Sequence, residues 1–169
     1  MADQVVVVSV QEDPSPVTLA DIDVFTAFYH AEYGGALRLL RALGVSPPAS
    51  EDLVQDAFVR VHERWSGLEN PAAFLRTVVV NLSRDWHRRQ GRERRHLAAV
   101  GAASPVSLGA RELLDVLARL PYRWRAVLVL RYWADWSERE IATALGCRPG
   151  TVKTLAARGL GRLRKELSP

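Results

Sequence analysis

The side chains with the clearest capacity for chemistry lie between residues 148 and 162, where hydroxyls and positive charges recur at helical spacing with no acid among them. Arginine, lysine and threonine donate hydrogen bonds to base edges and to phosphate oxygens. A helix that carries them on one side fits the major groove of DNA. The residues expected to face outward from this helix are Thr151, Lys153, Thr154, Ala157, Arg158 and Arg162.

A short helix must precede this basic helix and hold it at a steep angle. Ser137 and Glu140 have the spacing of a capping box, which predicts a helix start, and Gly146 predicts its end. The two segments together predict a helix-turn-helix, and a corner of two helices with a solvated basic face is the alternative. Gly159 and Gly161 weaken the second helix, so we expect close packing or a partner to compensate. The residues expected to fill the angle between the helices are Ala142, Val152 and either Leu155 or Ala156.

Charge divides the chain into an acidic and a basic half. Residues 1–70 carry four arginines against eleven acids, a net charge of −7, whereas residues 71–169 carry a net charge of +11. This asymmetry suggests two partners of opposite charge, one of them nucleic acid. Two solvated surfaces that merely differ in charge are the alternative reading.

The first half has a helical apolar period and predicts four helices, counting a short extra turn within the first segment. Gly44 is expected to end the first helix. After the break at Pro47 and Pro48, Ser50 is expected to cap the next helix, and Asn70 a later one. The apolar stripes of these helices fall within residues 25–43, 53–65 and 74–86.

The whole pattern predicts an all-α fold of two small helical domains joined by a flexible linker. The first domain spans residues 21–95 and the second residues 109–169. Residues 96–108, rich in Ala, Gly and Ser, form the predicted linker. Residues 1–20 are a predicted loose tail, in which a run of valines could pair as a strand. We expect the two domains to fold separately.

Several classes of protein are excluded by composition. No apolar stretch approaches the roughly 20 residues of a membrane helix, and no secretory signal opens the chain, so we expect a cytoplasmic protein without membrane insertion. The single cysteine, Cys147, cannot form an internal disulfide. The four histidines lack ligand spacing, and no phosphate-binding glycine loop or nucleophile–base pair is present. We therefore expect no catalytic residues, no metal and no cofactor, and so no enzyme.

Motifs in both halves resemble those of one protein family. Three segments resemble region four of the extracytoplasmic-function (ECF) sigma factors of bacterial RNA polymerase: LVLRYW from Leu128, WSEREIATALGC from Trp136 and GTVKT from Gly150. Three further segments resemble region two of that family: SEDLVQDAF from Ser50, and AFLR and VNLSRDW within residues 73–86. The pattern is most similar to the actinobacterial SigE-like subgroup.

The resemblance implies a sigma factor that binds core RNA polymerase and directs promoter-specific initiation of transcription. In this family the second helix of region two docks on the clamp helices of the beta-prime subunit, a role that falls here to Asp52, Gln55 and Asp56. Region four binds the beta flap and reads the minus-thirty-five element of promoter DNA. The implied minus-thirty-five contacts are Arg148, Thr151, Lys153, Thr154, Arg158 and Arg162.

Region two of the family also captures a flipped base of the melted minus-ten element, which aligns here with the turn from Trp65 to Asn70 and with Asn81. Asn81 could instead be buried, and Trp86 could belong to the core or stack on single-stranded DNA. The arginines that follow would bind phosphates. An anti-sigma factor is a further implied partner, and the linker would lie in the path of the exiting RNA. The implied minus-ten contacts are Trp65, Asn70, Asn81, Arg84, Arg88, Arg89 and Arg92.

A free-standing helix-turn-helix regulator, whose first domain senses a ligand or dimerises, is the main alternative. It needs a dimer interface and a paired operator, and the sequence supplies no obvious dimer interface. A module that sequesters another sigma factor or a polymerase component is a more distant alternative.

Overall fold

The structure, a computed structural model, describes residues 19–93 and 108–167, and every regular element within those ranges is helical. The expected all-α fold is therefore confirmed. Residues 1–18 of the predicted tail, with the valine run, and residues 96–107 of the predicted linker lie outside the described residues. The last two residues of the predicted tail, Leu19 and Ala20, instead begin the first helix. The elements in chain order are α1 Leu19–Ala42, α2 Pro47–His62, a 3-10 turn Trp65–Gly67, α3 Pro71–Glu93, α4 Leu108–Arg119, α5 Tyr122–Tyr132, α6 Glu138–Leu145 and α7 Pro149–Leu167.

Within residues 19–93, the first half contains three α-helices and a 3-10 turn instead of four helices. No separate turn interrupts α1, which runs through Gly34 and Gly35, because its apolar stripe packs on α2 and α3 along its length. Gly44 ends this segment as expected, with a φ of +83° that glycine adopts without steric cost.

Ser50 is not a helix cap, contrary to expectation. Helix α2 begins at Pro47, and Ser46 takes the extended conformation of the capping position. Proline is well suited to the first turn because the amide groups there need no partner within the helix. Ser50 is instead fully buried inside α2, where its hydroxyl donates to the carbonyl of Ser46 at 2.9 Å.

The interior of the first half forms where α1, α2 and α3 meet. Large apolar side chains from each helix are removed completely from water there, and each contributes about 1.5–3 kcal/mol relative to exposure. Asn70 starts α3 as predicted, since its Oδ1 accepts from the amide of Ala73 at 2.9 Å. The fully buried apolar residues of this interior are Leu40, Leu43, Val54, Ala57, Val61, Leu75, Val79 and Val80.

The second half contains the predicted helix-turn-helix, formed by α6 and α7. Ser137 and Glu140 make the expected capping box, and these hydrogen bonds lower the pKa of the Glu140 carboxyl. Gly146 closes α6 in the left-handed conformation, with a φ of +59°. Val152, Leu155 and Ala156 are all buried on the side of α7 that packs against α5 and α6, so burial does not separate the two alternatives, Leu155 and Ala156.

The two halves also pack against each other. Helix α3 of the first half contacts α6 of the second, and one continuous apolar core includes Leu43 and Val79 as well as Leu130 and Ile141. This direct contact was not anticipated from the sequence, because it depends on pairs of residues far apart along the chain.

Candidate polymerase and nucleic-acid interfaces

The three predicted polymerase contacts lie together on the solvent side of α2. Asp52, Gln55 and Asp56 are all exposed, because Val54 and Ala57 turn the opposite side of the helix into the core. The amide of Gln55 donates to the hydroxyl of Tyr29 on α1 at 3.1 Å, which ties one edge of this face to the neighbouring helix.

Val59 extends the same face by one helical turn, and sequence analysis missed it. Its side chain is 56% exposed although it is apolar. The signal was available, since Val59 falls out of phase with the buried stripe that contains Ala57, Phe58 and Val61. We call the surface formed by Asp52, Gln55, Asp56 and Val59 the acidic face of α2.

Two predicted minus-ten contacts build the turn between α2 and α3. Trp65 is half-buried, and its ring packs on Phe25 and Phe28 with centroid distances of 5.0 and 5.1 Å. Asn70 is exposed, and its carbonyl oxygen caps α3. Both side chains therefore hold the shape of the turn.

The sequence left open whether the side chains of Asn81 and Trp86 are buried or exposed. In the structure both side chains are half-buried. Trp86 packs against the apolar core, and its ring lies edge-on to that of His87 at 4.8 Å. Each residue thus contributes to packing and keeps part of its surface accessible.

The arginines at the end of α3 differ in their surroundings. Arg84 reaches the second half of the chain, where its Nη1 donates to the carbonyl of Ala144 in α6 at 2.8 Å. Arg88 is more exposed and lies 3.5 Å from the carboxylate of Asp85. Arg89 is exposed, and the side chain of Arg92 lies outside the described residues.

Helix α7 presents its predicted outward face to solvent. Lys153, Thr154 and Arg158 are exposed, and Thr151 at the helix start is half-buried. Arg148 is exposed in the turn just before the helix. The hydroxyl of Thr154 donates to the carbonyl of Gly150 at 3.2 Å, so its oxygen still has acceptor capacity directed outward.

Acidic side chains already engage two of the predicted minus-thirty-five contacts. Glu138 of α6 pairs with Arg131 at 2.9 Å and lies 3.7 Å from the ammonium of Lys153. Glu166 pairs with Arg162 at 2.7 Å and with Arg119 at 3.4 Å. Neither Arg158 nor Arg148 has an ion pair within the described residues, so the charges of these two predicted contacts are the least compensated.

The two glycines of α7 have different surroundings. A Cβ added at Gly159 would lie 3.0 Å from a side-chain carbon of Leu128 and 3.5 Å from the Cβ of Trp124, both in α5. Nothing lies within 4 Å of the corresponding position at Gly161. The expected close packing is therefore present at Gly159, whereas Gly161 faces open space.

Comparison with known proteins matches both halves to one family. The model of sigma-70 region 2 matches residues 28–93, and that of sigma-70 region 4 matches residues 110–163. The RNA polymerase sigma-E factor of Streptomyces avermitilis is 34% identical, over 85% of this chain and 84% of that protein. The sigma-E factor of Streptomyces coelicolor is 33% identical, over 88% of this chain and 89% of that protein.

Solved structures show the same fold at lower identity. The sigma factor RpoE of Bartonella quintana, in complex with the anti-sigma factor NepR, has a TM-score of 0.68 at 24% identity, over 86% of this chain and 97% of that one. CnrH, in complex with the cytosolic domain of CnrY, has a TM-score of 0.60 at 22% identity, over 86% of this chain and 88% of that one.

The chain belongs to the ECF sigma factors of the sigma-70 family, and within them to the SigE-like type. Its function is that of a promoter-directing sigma factor, not that of a free-standing regulator. No helix in the described parts of the chain is long and apolar enough to cross a membrane.

Replacing each glycine of α7 by alanine tests the packing of this helix. Gly159→Ala is expected to lower the free energy of unfolding by about 1–3 kcal/mol, because the added methyl group overpacks the contact with α5. Gly161→Ala is the matched control and is expected to raise that free energy by about 0.5–1 kcal/mol through helix propensity. Urea unfolding of both variants measures the difference, and equal effects would contradict the assigned contact.

Proposed function

We propose that this sigma factor docks on the beta-prime clamp helices of core RNA polymerase through the acidic face of α2 and recognises a promoter at two places. Region two would hold the melted minus-ten element, and α7 of region four would read the minus-thirty-five element while its domain contacts the beta flap. The observation that carries the proposal is the combination, in one chain, of an exposed acidic face on α2 with an exposed basic face on α7.

The catalytic steps of RNA synthesis belong to the polymerase core in this proposal, and the chain acts in the cytoplasm, where promoter DNA is found. The direct test is to add the chain to core polymerase and map the transcripts made from genomic DNA. Discrete start sites that share two upstream elements support the proposal. Unchanged, unspecific transcription by the core would contradict it.

The acidic face of α2 is suited to a basic helical partner. Carboxylates that are exposed and not engaged in strong ion pairs attract positive charge and raise the rate of association. Val59 adds apolar area at one end of an otherwise polar face, and removing that area from water would favour a stable contact.

Reversing the charge of this face should weaken polymerase binding. Asp52→Lys combined with Asp56→Lys is expected to lower affinity for core polymerase at least tenfold at low salt, with a smaller loss at high salt, because screening reduces both attraction and repulsion. Titration of labelled protein with core polymerase measures the change, and circular dichroism verifies that helical content is unchanged.

Asp115→Lys is a matched control for the single variant Asp56→Lys, since both acids are exposed on helix surfaces. It changes the net charge equally but leaves the acidic face intact. Equal losses in the two single variants would mean that net charge, and not this face, determines binding.

Region two would use the turn from Trp65 to Asn70, with Asn81, to hold a flipped base of the minus-ten element. Arg88, Arg89 and Arg92 would bind the neighbouring phosphates. Arg84 would join them once it is released from the carbonyl of Ala144. The half-buried Trp65 and Asn81 support this role, because a base pocket needs a packed apolar wall beside a hydrogen-bonding group.

The start and the middle of α7 would have different roles on the minus-thirty-five element. Thr151, Lys153 and Thr154 lie where base edges become reachable, with Arg148 just before them, and Glu138 restrains the ammonium of Lys153. Arg158 and Arg162 lie one turn and two turns further along, where phosphates are the nearest groups.

Three substitutions separate these roles. Arg158→Ala is expected to weaken binding to all DNA sequences alike and to reduce the salt slope by about one unit. Arg162→Ala should reduce the slope less, because Glu166 already compensates its charge. Lys153→Ala should instead change the preference at one or two base positions by roughly 1–3 kcal/mol.

Binding of holoenzyme to single-base promoter variants at several salt concentrations provides the measurement. Repeating the Arg162→Ala substitution in a Glu166→Gln background should bring its slope change closer to that of Arg158→Ala. A uniform loss in the Lys153 variant together with an altered base preference in the Arg158 variant would show that α7 is oriented the other way.

An anti-sigma factor is a further proposed partner. RpoE and CnrH, which have the same fold, were crystallised with the anti-sigma factor NepR and with a domain of CnrY, respectively. A partner of this kind would inhibit the present chain by covering the acidic face of α2 or the outward face of α7.

A further inference from the structure

Glu138, in the first turn of α6, lies between two basic side chains that belong to two other helices. Its Oε1 accepts a hydrogen bond from Nη1 of Arg131 in α5 at 2.9 Å, and its Oε2 lies 3.7 Å from Nζ of Lys153 in α7. Sequence analysis assigned a role to Lys153 but none to the other two residues. The carboxylate of Glu138 therefore links the start of α7 to the two helices that pack against it.

The two contacts of Glu138 differ in strength. The pair with Arg131 is short, and about a third of each side chain is accessible, 35% for Arg131 and 29% for Glu138, so water screens the pair only in part. The ammonium of Lys153 lies beyond hydrogen-bond distance, and its side chain is 71% exposed. Arg131 thus fixes the carboxylate, and the carboxylate in turn biases the position of an exposed lysine.

Glu138 also sets the charge balance at the start of α7. Residues 149–165 contain no acid, and within the described residues the ion pair with Glu138 is the only one that Lys153 makes. Glu140, the other acid in the first turn of α6, accepts hydrogen bonds from Ser137 in the capping box. Whether Lys153 acts as a full positive charge therefore depends on Glu138.

The dipole of α6 explains only part of this arrangement. An acid in the first turn of a helix is favoured, and Glu140 already supplies one together with the cap. The dipole does not account for the hydrogen bond from Arg131, which holds the carboxylate of Glu138 within reach of α7. A role toward the DNA-reading helix accounts for both contacts.

Pairing with a carboxylate changes what an ammonium group can bind. An unpaired lysine is a point charge, and phosphates surround it at every step of DNA whatever the sequence. A paired lysine carries little net charge, but an ammonium has three donors and the carboxylate does not use them all. The N7 and O6 acceptors of guanine are uncharged. The pair therefore retains hydrogen bonding to a base edge and loses attraction to the backbone.

The size of this effect follows from the distance in the structure. A phosphate oxygen in contact with the ammonium of Lys153 would lie at most about 7 Å from the carboxylate, because the ammonium itself lies 3.7 Å from it. Coulomb's law for two negative charges at that separation in water disfavours the phosphate contact about threefold at low salt. An uncharged base acceptor meets no such repulsion. Glu138 therefore favours a base over a phosphate as the partner of Lys153.

We propose that Glu138, held by Arg131, is a specificity-determining residue of this sigma factor, which keeps Lys153 from anchoring on phosphates and reserves it for a base edge. Glu138 acts through Lys153 and is a positioning residue. The inference rests on the proposed function, in which α7 reads the minus-thirty-five element. The acid lowers the total affinity for DNA and increases the difference between cognate and other sequences, as repulsive elements do in specific recognition.

Glu138→Gln tests this role because it removes the charge and keeps the shape. Its amide oxygen can still accept from Arg131, and the capping box is untouched. Holoenzyme with this variant is expected to bind every promoter variant more tightly at low salt, with a salt slope raised by about one unit, since the charge of Lys153 is no longer compensated. Discrimination at the base read by Lys153 should fall about threefold. Binding to promoter fragments with single-base changes in the minus-thirty-five element, at several salt concentrations, measures all three quantities.

Lys153→Ala in both backgrounds separates this role from a purely structural one. In the wild-type background it should alter base preference with little change in the salt slope. In the Glu138→Gln background it should lower the slope by about one unit and abolish the gain in affinity. A weakened α6 cannot produce this dependence on background. Thermal melting verifies that the variants fold, and Glu138→Ala, which also lacks the charge, repeats the test if the glutamine variant does not.

Two control variants remove an acid elsewhere in region four. Asp115→Asn removes an exposed acid that has no ion pair within the described residues, and it should leave base preference and salt slope nearly unchanged. Glu166→Gln releases Arg162 and should raise the slope without a change in base preference, because Arg162 lies where phosphates are the nearest groups.

The outcomes distinguish this inference from the proposed function. If Lys153→Ala alters base preference but Glu138→Gln changes neither preference nor slope, Glu138 has no such role and the proposed function stands. A raised slope with unchanged discrimination in Glu138→Gln would also overturn the inference, because the acid would then affect affinity alone. A wild-type holoenzyme without any base preference in the upstream element would overturn the proposed function and this inference with it.

Discussion

Arg125 carries a positive charge into the interior, and an unpaired buried charge costs several kcal/mol. Carbonyl groups at the ends of α4 and α1 accept its hydrogen bonds, among them those of Leu117 at 2.8 Å and Leu43 at 3.2 Å. Since the donors of a guanidinium are fixed in one plane, the two helix ends cannot shift independently. Together with the continuous apolar core, this one group therefore restrains the position of α5 relative to α1, and with it the place of the helix-turn-helix.

Other basic side chains that are proposed to bind DNA also form contacts within the protein. Glu138 restrains Lys153, Glu166 compensates Arg162, and the carbonyl of Ala144 occupies Arg84. In the proposed complex with DNA, Arg84 and Arg162 would each exchange an intramolecular partner for DNA, whereas Arg158 has no ion pair within the described residues to exchange. The net charge of the second half therefore overstates how much positive charge is available to a phosphate backbone, and ion-pair partners decide which residues contribute to the salt dependence of binding.

The elements that sequence analysis predicted correctly depend on short-range interactions. The capping box of Ser137 and Glu140 and the cap at Asn70 each involve residues three apart, so their spacing is visible in the chain. The prediction that Ser50 caps α2 was wrong because Ser46, which lies just before Pro47 and Pro48, offers an equally good local signal. The helix begins after Ser46, and Ser50 is buried within it. Val59 was missed because an apolar side chain by itself predicts burial, although its phase along α2 opposes the buried stripe.

The helical class, the family, the helix-turn-helix and the acidic residues of α2 could be predicted from the sequence, because apolar periodicity and motif spacing repeat within a few residues. That Trp65 and Asn70 hold their turn, that Gly159 packs on α5 and that the two regions meet is visible only in the packed structure. The bonds from Arg84 to Ala144 and from Arg125 to Leu43 join residues 60 and 82 positions apart. A local sequence pattern cannot predict such a pair, because the two residues come close only after both helices have packed.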